Sequence, residues 1–207
     1  MNLLERATIM HYHRHRIDQY GRDGAMALGW RSEDSQRRRF EVLASLADFS
    51  HCTVLDVGCG RGDLKAFFDA RFAEVAYIGI DQMPEFIADA NARFAGGSAC
   101  RFYQGDFTTA SFPRVDYVVA SGALGYRSED EDLPFEMIRR MYASSERAAI
   151  FNVLDARRFP EHPLLTGLDC DAVEAFCRTL SPEVTLVRGY LEDDMTVRVT
   201  RPGENAA

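Results

Sequence analysis

A glycine-rich loop between an apolar run and a predicted helix constrains this chain more than any other segment. Residues 54–64 are Val-Leu-Asp-Val-Gly-Cys-Gly-Arg-Gly-Asp-Leu. The branched apolar residues before the glycines predict a parallel strand that is buried on both faces. The glycines allow the backbone to turn sharply and to approach a ligand closely. We therefore expect a strand, a ligand-binding loop and a helix in succession.

The acidic residues of this stretch restrict the kind of ligand. Asp56 lies two residues before the first glycine, and Asp63 stands where the dinucleotide-binding pattern G-x-G-x-x-G has its third glycine. A carboxylate at residue 56 would repel the pyrophosphate that such a loop binds at a helix N-terminus. The loop therefore disfavours a nicotinamide oxidoreductase and favours a ligand with cationic groups and no phosphate, such as S-adenosylmethionine.

Together with three later segments, this loop resembles the motifs of the class I S-adenosylmethionine-dependent methyltransferases. The later segments are residues 77–81, 103–107 and 115–122, and the resemblance covers roughly residues 50–200. Asp81 lies 19 residues after Gly62, which is the spacing at which an acid at the end of a second strand reaches ribose hydroxyls. The resemblance implies that S-adenosyl-L-methionine is the cofactor.

The resemblance also assigns roles to individual residues. Asp81 matches the ribose-binding acid, Gln82 and Met83 match the positions that flank the adenosine, and Asp106 and Phe107 match the segment that reads the adenine. The other implied cofactor-binding residues are Asp56, Gly58, Cys59, Gly60, Gly62, Ser121, Gly122, Tyr20, Gln36 and Arg39.

The fold class follows from the same resemblance. It implies an α/β fold with a doubly wound, seven-stranded, mostly parallel sheet in the order 3-2-1-4-5-7-6, in which strand seven is antiparallel. Residues 185–187 and 195–199 independently predict a terminal antiparallel hairpin, because two alternating apolar runs flank an acidic turn. Most dinucleotide-binding domains have no such hairpin.

We expect one domain that consists of an N-terminal helical cap over residues 1–45 and a methyltransferase core over residues 46–207. The segment 96–98 is expected to end a core helix, and residues 202–207 are expected to form a loose tail.

In the cap, His11 and His15 are one helical turn apart, but no H-E-x-x-H pattern or nearby carboxylate supports a metal site, and we predict none. The single tryptophan, Trp30, is interpreted equally well as a core residue or as a wall of the substrate pocket.

Charge and cysteine content restrict the partners and the compartment. The net charge is −8, and residues 1–40 hold eight arginines against five acids, so the remainder carries −11. An acidic core argues against a nucleic-acid substrate, because phosphate neutralisation supplies most of that affinity. Five cysteines without a C-x-x-C pair indicate reduced thiols, and we find no apolar run long enough for a membrane span and no signal peptide. We expect a cytoplasmic enzyme with a small-molecule substrate and no membrane partner.

Catalytic residues are harder to predict, because methyl transfer from a sulfonium depends mainly on alignment and on exclusion of water. His162, which lies between two prolines, is the first candidate for a general base, and Tyr126 is the second. Further candidates at the strand ends and in the cap are Asn152, Tyr12 and His15. The chain has Ser-Gly-Ala-Leu at residues 121–124 instead of an N/D-P-P-Y segment, which argues against methylation of an exocyclic base amine.

The sequence thus predicts methyl transfer to an oxygen, nitrogen or carboxyl acceptor on a small molecule. Two alternatives stay open. The protein could cleave or cyclise S-adenosylmethionine itself, or it could be a non-catalytic cofactor-binding partner of another methyltransferase.

Overall fold

The computed structural model describes residues 1–96 and 99–203. The predicted helix end at residues 96–98 and the predicted tail at residues 202–207 therefore lie partly outside the described residues. Within the described ranges, no helix is long and apolar enough to cross a membrane.

Seven strands of the described chain form one sheet in the order β3-β2-β1-β4-β5-β7-β6. Strand β7 is antiparallel to β5 and β6, and the other neighbouring strands are parallel. The predicted fold class, strand order and terminal hairpin are confirmed. The strands are β1 (Thr53–Val57), β2 (Ala76–Asp81), β3 (Cys100–Gln104), β4 (Val115–Ala120), β5 (Ser145–Leu154), β6 (Val184–Arg188) and β7 (Asp194–Thr200).

Six α-helices and one short 3-10 helix complete the described part of the chain. Ser32 caps α2 by accepting from the backbone N–H of Ser35, and Pro84 occupies the first turn of α4, where a missing N–H costs nothing. The helices are α1 (Leu3–Tyr20), the 3-10 helix (Ala25–Leu28), α2 (Glu33–Ser45), α3 (Asp63–Asp69), α4 (Pro84–Arg93), α5 (Leu133–Ser144) and α6 (Cys170–Leu180).

The helices cover the sheet on both faces, as a doubly wound fold requires. Helices α5 and α6 pack on one face through side chains such as Ile138 and Val173. Helices α2, α3 and α4 pack on the other face through side chains such as Leu43, Phe68 and Ala90. Helix α2 lies within the predicted cap, but its buried side chains belong to the same apolar core as the sheet.

Helix α1 lies over the C-terminal edge of the sheet and is held there by charged contacts. Arg14 pairs with Glu85 at 2.7 Å, and Glu5 accepts from the backbone N–H of Glu129 at 2.6 Å. Ile9 and His13, one helical turn apart, are the residues of α1 that are buried. These contacts place α1 opposite the ends of the central strands.

Candidate active site

A cavity of about 460 Å³ opens at the C-terminal ends of β1, β2, β4 and β5. Ligands of open α/β sheets bind at this edge, where the strand order reverses. Two sets of residues enclose the cavity. The sheet wall consists of residues at the ends of the strands or directly after them. The cap wall consists of residues from α1, from the segment 26–31, from α2 and from the loop 159–165, together with Tyr126, which forms a β-bridge with Leu165 of that loop.

Glycines shape the sheet wall. Gly58 has φ +77°, and a Cβ there would lie 2.6 Å from the Cβ of Ala123, so the turn requires glycine. The backbone N–H groups of Gly58 and Cys59 donate to the carbonyl of Ile80, at 2.8 and 3.1 Å, which fixes the loop against the end of β2. A Cβ on Gly60 would lie 2.8 Å from the side chain of Leu28, a flexible group of the cap wall.

Two buried carboxylates lie beside this loop. Asp56 accepts a hydrogen bond from the Tyr77 hydroxyl, and burial raises the pKa of Asp56 to about 7. Asp81 accepts from the backbone N–H groups of Gly60 and Met83, at 2.9 and 2.8 Å. Burial raises the pKa of Asp81 to about 6, although these backbone hydrogen bonds act in the opposite direction. A cationic ligand would therefore meet two acids that titrate close to neutrality.

The sheet wall also contains a polar atom that no group of the described chain satisfies. Ser121 Oγ, at the end of β4, is buried without a hydrogen-bond partner. Buried hydroxyls in native proteins are normally paired, and an unpaired one beside a cavity is suited to a ligand. The glycine loop, the two acids and this hydroxyl fit a cofactor that is cationic and carries ribose hydroxyls.

Most of the predicted site residues line the cavity. They are Asp56, Gly58, Cys59, Gly60, Asp81, Gln82, Met83, Phe107, Ser121, Gly122, Gln36, Arg39, Tyr126 and His162. Of the further candidates, Tyr12 and Asn152 also line it, as does Trp30, while the exposed His15 does not.

Three predicted cofactor residues lie outside the cavity lining. Gly62 is the N-cap of α3, and a Cβ there would lie 2.8 Å from the ring of Phe94, so this glycine serves packing. Asp106 accepts from the backbone N–H and the hydroxyl of Thr108, and its other oxygen lies 3.4 Å from Arg6 Nε. Tyr20 is exposed and carries the Arg16 guanidinium over its ring at 4.7 Å.

Gln36 and Arg39 line the cavity but are already engaged by the protein. Gln36 donates to Asp63 at 3.3 Å, and Arg39 pairs with the buried Asp194. The prediction that these two side chains bind the cofactor therefore competes with contacts that already use their polar groups.

Asp194 also connects Arg39 to the sheet wall. Asn152 donates to Asp194 at 2.9 Å and accepts from the backbone N–H of Gly122, also at 2.9 Å. A hydrogen-bonded series thus joins Arg39 on α2 to the backbone that follows β4. Trp30 packs on the same point, since a Cβ on Gly122 would lie 3.0 Å from its ring.

A buried histidine in the cap wall was not among the predicted catalytic candidates. His13 Nε2 lies 2.7 Å from the Tyr126 hydroxyl, and His13 Nδ1 lies 3.5 Å from the carbonyl of Ala27. Burial lowers the pKa of His13 to about 4, so the ring is neutral. The i, i+4 spacing from Ile9 was the available signal, because it places His13 on the apolar face of α1 while His11 and His15 are exposed.

His162 lies at the rim of the cap wall with one ring nitrogen in use. Its Nδ1 accepts from the backbone N–H groups of Leu164 and Leu165, at 3.1 and 3.0 Å. Burial and the nearby charges of Arg127 and Arg16 lower the pKa of His162. The neutral ring then carries its proton on Nε2, which makes His162 a hydrogen-bond donor rather than a base.

Comparison with known proteins identifies the family. Residues 54–145 match a family model described as a methyltransferase domain. The chain is 30% identical over 159 residues to Rv1506c of Mycobacterium tuberculosis, a protein named as a methyltransferase, across 72% of this chain and 93% of that protein. The chain belongs to the class I S-adenosylmethionine-dependent methyltransferases. The predicted family, enzyme class and cofactor are thereby confirmed.

Two further proteins resemble this methyltransferase. Trans-aconitate 2-methyltransferase of Methylobacterium nodulans is 29% identical over 94 residues, which cover 45% of this chain and 35% of that enzyme. The magnesium protoporphyrin IX methyltransferase of Synechocystis PCC 6803, solved with bound SAM, shares the fold with a TM-score of 0.67. Its sequence identity is 14%, over 95% of this chain and 97% of that chain.

Proposed function

We propose that this methyltransferase transfers the methyl group of S-adenosylmethionine to an oxygen, nitrogen or carboxylate of a small molecule. The observation that carries the proposal is that one cavity joins two chemically different walls. Asp56, Asp81 and the unpaired Ser121 hydroxyl lie on the sheet wall, while the His13–Tyr126 pair lies on the cap wall. The volume of about 460 Å³ is typical of small-molecule sites, which span roughly 300–1,000 Å³.

The sheet wall supplies the groups that would hold the cofactor. The Asp81 carboxylate uses one lone pair of each oxygen for backbone N–H groups and keeps others for ribose hydroxyls. Phe107 and Met83 provide apolar surface for the adenine, and the turn at Gly58 lets the backbone approach the amino-acid end. Phe107, rather than the engaged Asp106, is therefore the residue that we assign to the adenine wall.

The cap wall supplies the acceptor site. When bound, S-adenosylmethionine would supply a methyl group on a sulfonium sulfur, which departs readily as a neutral thioether. Helix α1, the segment 26–31 and the loop 159–165 exclude water and hold the acceptor in line. His13 Nε2 accepts a hydrogen bond from the Tyr126 hydroxyl, because Nδ1–H faces the Ala27 carbonyl. As the methyl bond forms, the Tyr126 oxygen would take the proton of a hydroxyl or amine acceptor while its own proton passes to His13 Nε2. A weak base suffices, because the acceptor proton becomes strongly acidic as the methyl bond forms.

Two observations favour a small acceptor over a macromolecule. The chain has a net charge of −8, which disfavours binding to nucleic acid. The trans-aconitate and magnesium protoporphyrin IX methyltransferases are each named for a small acceptor.

Five free, buried cysteines are consistent with a reducing compartment, and we propose the cytoplasm as the site of action.

Calorimetry with S-adenosylmethionine and S-adenosylhomocysteine tests the cofactor site. Asp81→Asn removes the charge at the ribose and should weaken both ligands about tenfold to a hundredfold. Asp34→Asn, at an exposed position in the first turn of α2, is the control and should bind as the parent does. An unchanged dissociation constant in Asp81→Asn would place the ribose elsewhere.

Mass analysis of the products separates the proposed reaction from its alternatives. A metabolite extract with the cofactor should yield S-adenosylhomocysteine and a product that is heavier by one methylene. Consumption of the cofactor without any extract would indicate cleavage or cyclisation. Binding without consumption under either condition would indicate a non-catalytic partner protein.

A further inference from the structure

The cap wall contains an arginine that no carboxylate of the described residues pairs with. Of the described arginines that line the cavity, Arg31 lies 2.7 Å from Asp193 and Arg39 pairs with Asp194. Arg16 instead donates through Nε to the carbonyl of Met26, which leaves its two terminal nitrogens and its charge for another partner.

Arg16 is also held in place before any ligand arrives. Its guanidinium lies 4.7 Å from the centroid of the Tyr20 ring and 5.7 Å from that of the Tyr12 ring. The side chain is half-buried, so water screens its charge less than that of a surface arginine. Its charge contributes to lowering the pKa of both His13 and His162, so both histidines of this wall lie near it. A positioned cation of this kind loses little entropy when it binds an anion.

The residues around Arg16 indicate which other groups a ligand at this place would carry. His162 offers an N–H at Nε2, since its Nδ1 accepts from two backbone amides. The Tyr12 ring, 6.3 Å from the His162 ring, and the apolar side chains of Phe159 and Leu165 line the same part of the cavity. This part of the cap wall combines one fixed cation, one neutral donor and apolar surface.

We propose that the methyl acceptor is a small organic acid with an apolar body, whose carboxylate pairs with Arg16 and His162. This inference rests on the proposed function and names the substrate class of that site. A guanidinium matches the planar, singly charged carboxylate in a bidentate geometry. A phosphate group, with more charge and more acceptor atoms, would need further cations, and the other two cavity arginines are already paired with Asp193 and Asp194.

The test compares acids with their amides on the full-length protein saturated with S-adenosylhomocysteine. The probes are acetate, benzoate, phenylacetate and 2-naphthoate, the four corresponding amides, and inorganic phosphate. The variants are the parent, Arg16→Met and Arg16→Lys, with Arg37→Met as the control. Arg37 is an exposed residue of α2 that pairs with Glu41 and does not line the cavity.

The parent should bind at least one carboxylate about tenfold to a hundredfold more tightly than its amide. Arg16→Met should reduce that ratio to about one, Arg16→Lys should retain part of it, and Arg37→Met should keep the parental value. A purely structural role of Arg16 would weaken the acid and its amide equally, so the ratio separates the two roles.

Four results would overturn the inference. They are the absence of any carboxylate preference in the parent, an unchanged ratio in Arg16→Met, tighter binding of phosphate than of every acid, and a tenfold loss of S-adenosylhomocysteine affinity in Arg16→Met. The last would assign Arg16 to the carboxylate of the cofactor. Each of these leaves the proposed function standing, whereas a parent that binds no S-adenosylhomocysteine contradicts the proposed function itself.

Discussion

The two walls of the cavity are built by contacts of different range. On the sheet wall, Asp81 bonds to the backbone two residues later, and Gly58 bonds to the strand beside it in the sheet. On the cap wall, His13 and Tyr126 are 113 positions apart. The sheet wall is therefore fixed once the strands pair, while the cap wall exists only when α1 has docked. We therefore expect substitutions in the sheet wall to act mainly on cofactor binding and substitutions in the cap wall to act mainly on turnover.

The largest expected effect comes from breaking the sheet wall at its turn. Gly58→Val places a branched side chain at φ +77° and within 2.6 Å of Ala123. The strained backbone alone costs about 1–3 kcal/mol, and the displaced loop should lose S-adenosylhomocysteine binding at millimolar ligand. Calorimetry and thermal unfolding measure the two effects.

Gly24→Ala is the matched control in the cap. Gly24 has a negative φ, and the nearest atom to an added Cβ lies at 3.8 Å, so cofactor affinity should be unchanged. If Gly58→Val still bound the cofactor normally, the loop would be more adaptable than its geometry indicates.

A second change breaks the cap wall alone. Tyr126→Phe removes the hydroxyl that bonds His13, and turnover should fall about a hundredfold, which is the usual contribution of a positioned proton acceptor. S-adenosylhomocysteine affinity should stay within about threefold of the parental value. Single-turnover kinetics on the substrate found in the metabolite extract would measure the first quantity and calorimetry the second.

Tyr103→Phe removes a hydroxyl from an exposed residue of β3 and should leave both quantities unchanged. A loss of cofactor affinity in Tyr126→Phe equal to its loss of turnover would show that the two walls act as one unit. Such a result would contradict the independence of the sheet wall and the cap wall.

The smallest expected effect is a dependence on pH that belongs to the sheet wall. Burial raises the pKa of Asp56 to about 7 and that of Asp81 to about 6. Their ionised forms favour a cationic ligand, so S-adenosylmethionine affinity should rise about tenfold between pH 5.5 and pH 8. S-adenosylhomocysteine, which lacks the sulfonium charge, is the control and should show a smaller increase.

The same two acids should lower the free energy of unfolding as pH rises, whereas they raise the cofactor affinity over the same range. Because their folded-state pKa values are raised, the protonated forms favour the folded state. Without cofactor, their contribution to the free energy of unfolding is fully present below about pH 4 and is lost as pH rises through 6 and 7. Thermal unfolding without cofactor across this range checks the sign, and a contribution that increased with pH would contradict it.

Local patterns predicted the terminal hairpin and most residues of the sheet wall, and the family resemblance that those patterns carry predicted the strand order. A buried strand, a glycine loop and an acid at a set spacing are visible in one stretch of chain. Asp106 illustrates the limit, because its pairing with Arg6 joins positions 100 residues apart. Arg39 was predicted to line the site, but its pairing with Asp194 depends on how the last strand enters the sheet.

The cap wall could not be predicted in the same way. The histidine-rich segment of α1 drew attention to His11 and His15, while the buried His13 becomes informative only beside Tyr126. His162 was predicted as a base from its position, but two backbone amides determine its protonation, and no residue pattern encodes them. The hydrogen-bond partners that folding brings to His13 and His162, rather than the residue type, determine whether each ring donates or accepts a proton.

The hydrogen-bonded series from Arg39 through Asp194 and Asn152 to Gly122 has a consequence for the order in which the protein is made. A nascent chain that ends before β7 already contains the glycine loop, both acids and every strand that carries them. It lacks Asp194, which orients Asn152 against the backbone after β4 and pairs with Arg39, whose guanidinium lies 4.8 Å from the centroid of the Trp30 ring. Synthesis must therefore run past β7 before the site is assembled, and a chain that is still being translated up to that strand would be a poor consumer of S-adenosylmethionine.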